Sequence, residues 1–91
     1  MTPEEIYKKA IRFYGHQSQM IQTCEECGEL IMEISHFMRK KTTIYNLAGE
    51  VADVEIMCAQ MRLLVGSEAV DRAKAAKLDR LQARLEREGI K

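Results

Sequence analysis

The sequence predicts an all-α protein of a single domain, residues 1–91, with four helices in a bundle. Apolar residues make up 46% of the chain and aromatic residues only 5%. The apolar side chains are mainly Ala, Met, Leu and Ile, a mixture that favours helix over strand. The single proline stands at position 3, and Gly15, Gly66 and Gly89 separate long helix-forming segments. Connections this short predict roughly antiparallel neighbouring helices.

The first helix is predicted from its N-terminal signals. Thr2 is placed as an N-cap, Pro3 as a first-turn proline and Glu5 as the partner in a capping box. This helix is expected to continue to about Tyr14 and to stop at Gly15.

The next two helices are delimited by a basic stretch and by threonines. The second helix is predicted from about Ser18 to Lys40. Thr42 or Thr43 can cap the third helix, which is expected to continue to about Val65.

The fourth helix is predicted to follow Gly66, which ends the third. Ser67 is the expected N-cap, and the helix should reach about Glu88 before Gly89.

Charge and cysteine content limit the classes of partner and location. Lys plus Arg and Asp plus Glu number 14 each, so no global field would attract nucleic acid or an anionic membrane. No apolar run approaches the roughly 18 residues that a membrane span needs, and the N-terminus lacks the features of a signal peptide. Three cysteines without an export signal predict reduced thiols, a cytoplasmic location and a role as small core residues.

The third helix is predicted to be apolar on nearly all sides. One side carries Leu47, Val51, Val54, Cys58 and Val65, which Met57, Met61 and Leu64 extend, while Ile56 and Leu63 lie almost opposite. Four short helices of one subunit can hardly enclose such a helix. We therefore expect a homodimer with this helix near the interface; the alternative is a monomer with an unusually apolar surface.

Two pairs of acidic residues are candidate functional residues, one pair on the third helix and one on the second. Glu50 and Asp53 lie on the apolar stripe of the third helix, where isolated carboxylates are costly unless they are neutralised. Glu26 and Glu29 share one side of the second helix, and Glu33 continues that stripe one turn later. Oxygen donors from two helices suit a hard cation such as Mg²⁺ or Mn²⁺. The alternative for the second helix is an ordinary solvated side.

Residues 25–30, Glu-Glu-Cys-Gly-Glu-Leu, and 46–54, Asn-Leu-Ala-Gly-Glu-Val-Ala-Asp-Val, resemble the paired motifs of MazG-like nucleotide pyrophosphohydrolases of the all-α NTP pyrophosphatase superfamily. The likeness is to the short, single-domain proteins of bacteria and phages, and it covers about residues 13 to 85. The chain is shorter than full-length MazG, which has two such domains, so a regulatory role is not carried over.

The resemblance implies a four-helix MazG-like bundle, assembled as a dimer or dimer of dimers with shared helices completing each site. It makes the metal ligands Glu26, Glu29, Glu50 and Asp53, with Mg²⁺ as cofactor and Mn²⁺ as an alternative. The implied reaction cleaves a nucleoside triphosphate between the α- and β-phosphates, giving a monophosphate and pyrophosphate. Removal of non-standard or excess nucleotides would be a fitting role.

Further site residues are predicted for the water and the phosphates. Glu25 or Glu29 would orient or deprotonate the attacking water, and the choice between them stays open. Lys77 and Arg80 lie in a basic stripe of the fourth helix and resemble the family's basic segment, so we expect them to contact phosphate.

Arg39 and Gln19 are candidates for substrate binding, but each also has a simpler structural explanation. Arg39, in a basic stretch at the end of the second helix, either contacts phosphate or only complements the helix dipole. Gln19 either hydrogen-bonds the base or ribose, or is a surface residue. The competing function is a non-catalytic helical oligomer that binds nucleotide or protein, in which the acids pair with Lys77 and Arg80.

Overall fold

The computed structural model describes residues 1–90, and within them it contains four helices and no strand. The predicted all-α class is confirmed. The helices are α1, Pro3–Tyr14; α2, His16–Met38; α3, Ile44–Val65; and α4, Ser67–Arg87. No helix in the described part combines the length and apolar content that a membrane crossing requires.

Two predicted N-caps are confirmed by hydrogen bonds. The backbone N–H of Glu5 donates to Thr2 Oγ1 at 3.2 Å. At the start of α3 the N–H of Asn46 donates to Thr43 Oγ1, also at 3.2 Å, so Thr43 is the cap. Thr42 instead accepts a hydrogen bond from the Asn46 side chain at 3.0 Å.

The predicted bounds of α2 were each about two residues too late. Gly15 has φ 95° and is both the C-cap of α1 and the N-cap of α2, so α2 begins at His16 instead of near Ser18. Its last residue is Met38, and Lys40 lies in the left-handed region with φ 59°. A residue in that conformation cannot continue a right-handed helix.

The prediction that Ser67 caps α4 was wrong. Gly66, with φ 103°, occupies the N-cap position, and Ser67 is the first helical residue with no side-chain capping bond. Glycine takes this conformation without the steric cost that a Cβ would bring, so the turn between α3 and α4 shortens by one residue.

The centre of the molecule is an antiparallel hairpin of α2 and α3. Gln19, near the start of α2, bonds Gln60 near the end of α3, whereas Glu29 approaches Glu50 closer to the connecting loop. Helix α1 packs on both members of the hairpin and buries Ile11, but α4 contacts α3 and no other helix.

The four helices do not close into a compact bundle within one chain. The radius of gyration is 16.3 Å, against about 12 Å for a compact domain of this length. The accessible surface is 7330 Å², against about 5,400 Å² for a compact monomer of this mass. Among the described residues only Ile11 and Met57 are buried apolar side chains. The expectation that the cysteines are core residues does not hold in the single chain, because Cys24 and Cys58 are exposed.

Candidate metal centre

Acidic side chains from α2 and α3 meet in the middle of the hairpin. One carboxylate oxygen from each of Glu26, Glu29 and Glu50 lies within 4.8 Å of the others. Asp53 follows Glu50 by one helical turn, and its charge acts on both Glu26 and Glu50. The structure thus brings the four predicted ligands, two from each helix, to one part of the hairpin. We name them, with Glu33, the acid group.

The register of the hairpin brings these acids together. Spacing of three residues places each pair on one side of its helix. The Gln19 amide Nε2 donates to Gln60 Oε1 at 2.6 Å, and both side chains are buried. Gln60 Nε2 in turn contacts Met57 Sδ at 3.7 Å. Because unpaired buried amides are costly, this bond holds α2 and α3 in one alignment. Gln19 therefore has a structural partner, and its predicted contact with substrate stays a prediction.

Three carboxylate oxygens in the acid group are buried and have no hydrogen-bond partner. They are Glu26 Oε2, Glu33 Oε1 and Glu50 Oε2. The other oxygen of Glu26 accepts a hydrogen bond from Gln22 Nε2 at 2.8 Å. Buried polar atoms are nearly always paired with protein, water or an ion, so this arrangement lacks a positively charged or donating partner.

No cationic side chain within residues 1–90 supplies that partner. The salt bridges there join Lys8 to Glu4 and Arg62 to Asp71, both away from the acid group. Carboxylate oxygens at short mutual distances are the ligands that Mg²⁺ and Mn²⁺ take in proteins. The donor set and the three partnerless oxygens therefore fit a divalent cation.

The pKa values of Glu26 and Glu50 are both raised above the ordinary value of a glutamate. Partial burial is the main cause that raises the pKa of Glu26, and the charges of Glu29 and Asp53 add to it against the opposing Gln22 hydrogen bond. Partial burial also raises the pKa of Glu50, followed by the charges of Asp53, Glu26 and Glu33. The ionised form of each carboxylate is thus destabilised first by partial burial and then by its acidic neighbours, and a bound cation would oppose both effects.

Glu33 belongs to the acidic stripe of α2 but not to the predicted ligand set. In the structure Glu33 Oε1 is buried and has no hydrogen-bond partner. The negative charge of Glu33 also contributes to the raised pKa of Glu50. Its seven-residue spacing from Glu26 was the signal in the sequence. That spacing puts the two side chains on the same side of the helix, two turns apart.

The two candidate water-activating carboxylates are placed differently. Glu29 contributes an oxygen to the acid group and is otherwise exposed. Glu25 is exposed and lines a surface groove near the start of α2, beside Gln22 and Ile21. Of the two, Glu29 is the one that a water bound among the acids would reach.

The predicted phosphate contacts are not assembled around the acids of the same chain. Lys77 and Arg80 line a groove along α4 with Leu81 and two further arginines. Helix α4 has no contact with α2, which carries Glu26 and Glu29. Arg39, just beyond α2, donates from Nε to the Ser35 carbonyl at 3.4 Å, the contact expected of a cation at a helix C-terminus. The roles of these cations in substrate binding stay predictions.

No protein-family model matches this chain, and no curated protein or solved structure is similar enough to count as a match. A functional interpretation therefore depends on the acid group and its surroundings.

Proposed function

We propose that this chain is a Mg²⁺-dependent nucleoside triphosphate pyrophosphohydrolase, with Mn²⁺ as an alternative metal. The products would be a nucleoside monophosphate and pyrophosphate. One observation carries the proposal: three buried carboxylate oxygens of Glu26, Glu33 and Glu50 have no partner inside a cluster of acids without a cation. The resemblance of residues 25–30 and 46–54 to the MazG-like motifs selects this reaction among metal-dependent hydrolyses.

In this proposal Glu26, Glu29, Glu50 and Asp53 hold the divalent cation, with Glu33 beside Glu50. Such a cation, when bound, neutralises phosphate charge and lowers the pKa of a coordinated water. The contribution of the protein is to hold the acids ready, because the helices fix their positions before substrate arrives.

Two further roles follow from position and charge. Glu29 is exposed at the edge of the acid group and would accept the proton of the attacking water, with Glu25 as the second candidate. Lys77 and Arg80 would bind the leaving pyrophosphate, with Arg39 as a further candidate. Because α4 does not contact the acid-bearing helix α2 of its own chain, we propose that these cations serve the site of another copy in a dimer or dimer of dimers.

The non-catalytic alternative requires the acids to be neutralised by Lys77 and Arg80. The described residues make no such ion pair within the chain. The acid group thus has no salt-bridge partner among the described residues of its own chain, and chelation separates the two functions, because only the enzyme needs a divalent cation.

The deciding experiment measures pyrophosphate release from a panel of ribo- and deoxyribonucleoside triphosphates, with Mg²⁺ and with excess chelator. We expect metal-dependent release for at least part of the panel and none with chelator. Asp53→Asn should abolish it, whereas the control Glu55→Gln, an exposed acid of α3 outside the acid group, should not. Full turnover by Asp53→Asn would contradict the ligand assignment. A folded wild type without turnover on the whole panel would contradict the proposed reaction.

A further inference from the structure

Four cationic side chains follow one side of α4. At about 100° per residue, their spacings of three and four residues place them within about 80° of one another around the helix. Together with Leu81 they line a groove of about 500 Å³, which we name the basic groove: Lys77, Arg80, Arg84 and Arg87. Only Lys77 and Arg80 have a part in the proposed reaction, so Arg84 and Arg87 are left without a function.

The charge of the basic groove is not balanced by the chain itself. Among the described residues no acid lines the groove, and neither salt bridge includes any of its four cations. The two acids within residues 77–87 are Asp79 and Glu86, and both are turned more than about 100° from the middle of the cationic stripe. Because neighbouring like charges on a helix destabilise it, the groove is suited to an anion from outside the chain.

The basic groove is open to solvent. Helix α4 contacts α3 and no other helix, and all residues from 71 to 90 are exposed. Leu78 and Leu85 lie on another side of α4, more than about 100° from the middle of the cationic stripe. A protein surface that covered these leucines would therefore leave the cations accessible.

The basic groove is longer than a pyrophosphate needs. The helix rises about 15 Å between Lys77 and Arg87. An arginine guanidinium binds phosphate oxygens through two parallel N–H groups, and a lysine binds them as a point charge. Four such groups in a row match an anion that presents several phosphates in a line. A chain of linked phosphates does this, because every phosphate in it carries negative charge.

Two other kinds of anion do not fit the surroundings of the groove. Grooves for single-stranded nucleic acid combine cations with aromatic side chains on which the bases stack. No aromatic residue of the described chain lines the basic groove, and the exposed pair Phe13 and Tyr14 lies on α1, which does not contact α4. An anionic membrane would attract one flank of the leucine stripe but repel the other, which carries Asp79 and Glu86.

We propose that the basic groove binds a chain of linked phosphates, either linear inorganic polyphosphate or the phosphate chain of a nucleotide. Lys77 and Arg80 hold one end of the chain, and Arg84 and Arg87 hold the phosphates beyond it. The inference does not depend on the proposed reaction, because binding in the groove requires neither a metal nor turnover.

The test is titration calorimetry of the whole chain with phosphate, pyrophosphate, tripolyphosphate and longer linear polyphosphate. Excess chelator keeps the acid group free of metal. We expect the affinity to rise with each added phosphate until the anion spans the four cations, and to fall as salt is added. Adenosine triphosphate distinguishes the two sources: tighter binding than tripolyphosphate assigns the groove to a nucleotide, and equal or weaker binding assigns it to the inorganic chain.

Two pairs of substitutions locate the binding on α4. Arg84→Ala combined with Arg87→Ala should lower the affinity for long polyphosphate by about tenfold for each arginine, because hydrogen bonds to charged groups are lost. Alanine is a strong helix former, so α4 should persist. Arg84→Lys combined with Arg87→Lys keeps the charge and should keep most of the affinity. The matched control is Arg72→Ala with Lys74→Ala, which removes two cations of α4 that line other grooves and should change the affinity less than about threefold.

The inference would be overturned by an affinity that does not increase beyond pyrophosphate, or by an equal loss of affinity in the control variant. Displacement of polyphosphate by oligothymidylate at the same phosphate concentration would also overturn it and assign the groove to nucleic acid. None of these results concerns turnover. Failure of the proposed function is instead recognised by a protein that binds phosphate chains but releases no pyrophosphate from nucleoside triphosphates.

Discussion

The two sides of α2 reverse the usual arrangement of a helix in a small domain. The side that faces α3 carries Glu26, Glu29 and Glu33, and the opposite side carries exposed residues such as Ile31 and Met38. A chain that minimised its own free energy would bury the apolar side and expose the acids. The two sides therefore differ in what the chain, over residues 1–90, does not supply: the acids have no cationic partner in it, and the apolar side chains have little cover from it.

The largest effect is expected from removing a charge on the acid side. Glu50→Gln keeps the size of the side chain but removes the charge of a proposed ligand that has a buried, partnerless oxygen. Because even residues that only orient metal ligands contribute about 10–100-fold to affinity or activity, we expect loss of metal-dependent turnover by at least about 100-fold. Pyrophosphate release is the measurement, with Glu55→Gln as control. Turnover within a fewfold of wild type would show that Glu50 is not a ligand.

The next largest effect is expected from breaking the hydrogen bond between Gln19 and Gln60, which aligns α2 with α3. Gln60→Leu leaves the buried Gln19 amide without its partner at 2.6 Å. An orphaned buried donor costs about 1–3 kcal/mol of the free energy of unfolding, measured by urea denaturation.

The double variant of Gln19→Leu and Gln60→Leu is the control for this bond. It removes both polar groups and should recover most of the stability. A double variant that is less stable than Gln60→Leu would contradict the interpretation of this bond as a matched pair.

A smaller effect is expected from Glu33→Gln. Its oxygen is buried without a partner, but Glu33 is not among the three acids whose oxygens lie mutually within 4.8 Å. We expect Mn²⁺ affinity, measured by titration calorimetry, to fall about tenfold, less than for Glu50→Gln. Unchanged affinity would confine the cation to the other four carboxylates.

The smallest effect is a dependence of stability on pH. The pKa values of Glu26 and Glu50 are raised in the folded chain above their ordinary value of 4.5. The folded state therefore holds protons that the unfolded state has lost, and stability falls as pH rises from 4.5 through the raised values.

The melting temperature in chelator should accordingly decrease across this range. Added Mg²⁺ should oppose the decrease, because it binds the ionised acids. Glu50→Gln should show a flatter profile. A metal-free melting temperature that rises over the same range would mean that other groups control the stability.

Local features of this protein were predictable because their causes are local. The caps at Thr2 and Thr43 each depend on a hydrogen bond across three residues. The acid pairs 26/29 and 50/53 share a helix side by periodicity alone. The cap at Gly66 was missed because both Gly66 and Ser67 suit an N-cap, and the choice depends on the backbone angle of the turn.

The tertiary structure decided what these local patterns face. Periodicity placed the acids of α2 on one side of that helix, but it could not say which side of the helix would pack on α3. In the folded hairpin the acidic side of α2 packs on α3, and the apolar side of α2 stays exposed. Helix α4 makes no contact with α2. The sequence by itself determined four helices and the residues on each side of them. Only the tertiary structure decided which sides meet, because contacts between helices depend on residues far apart in the chain.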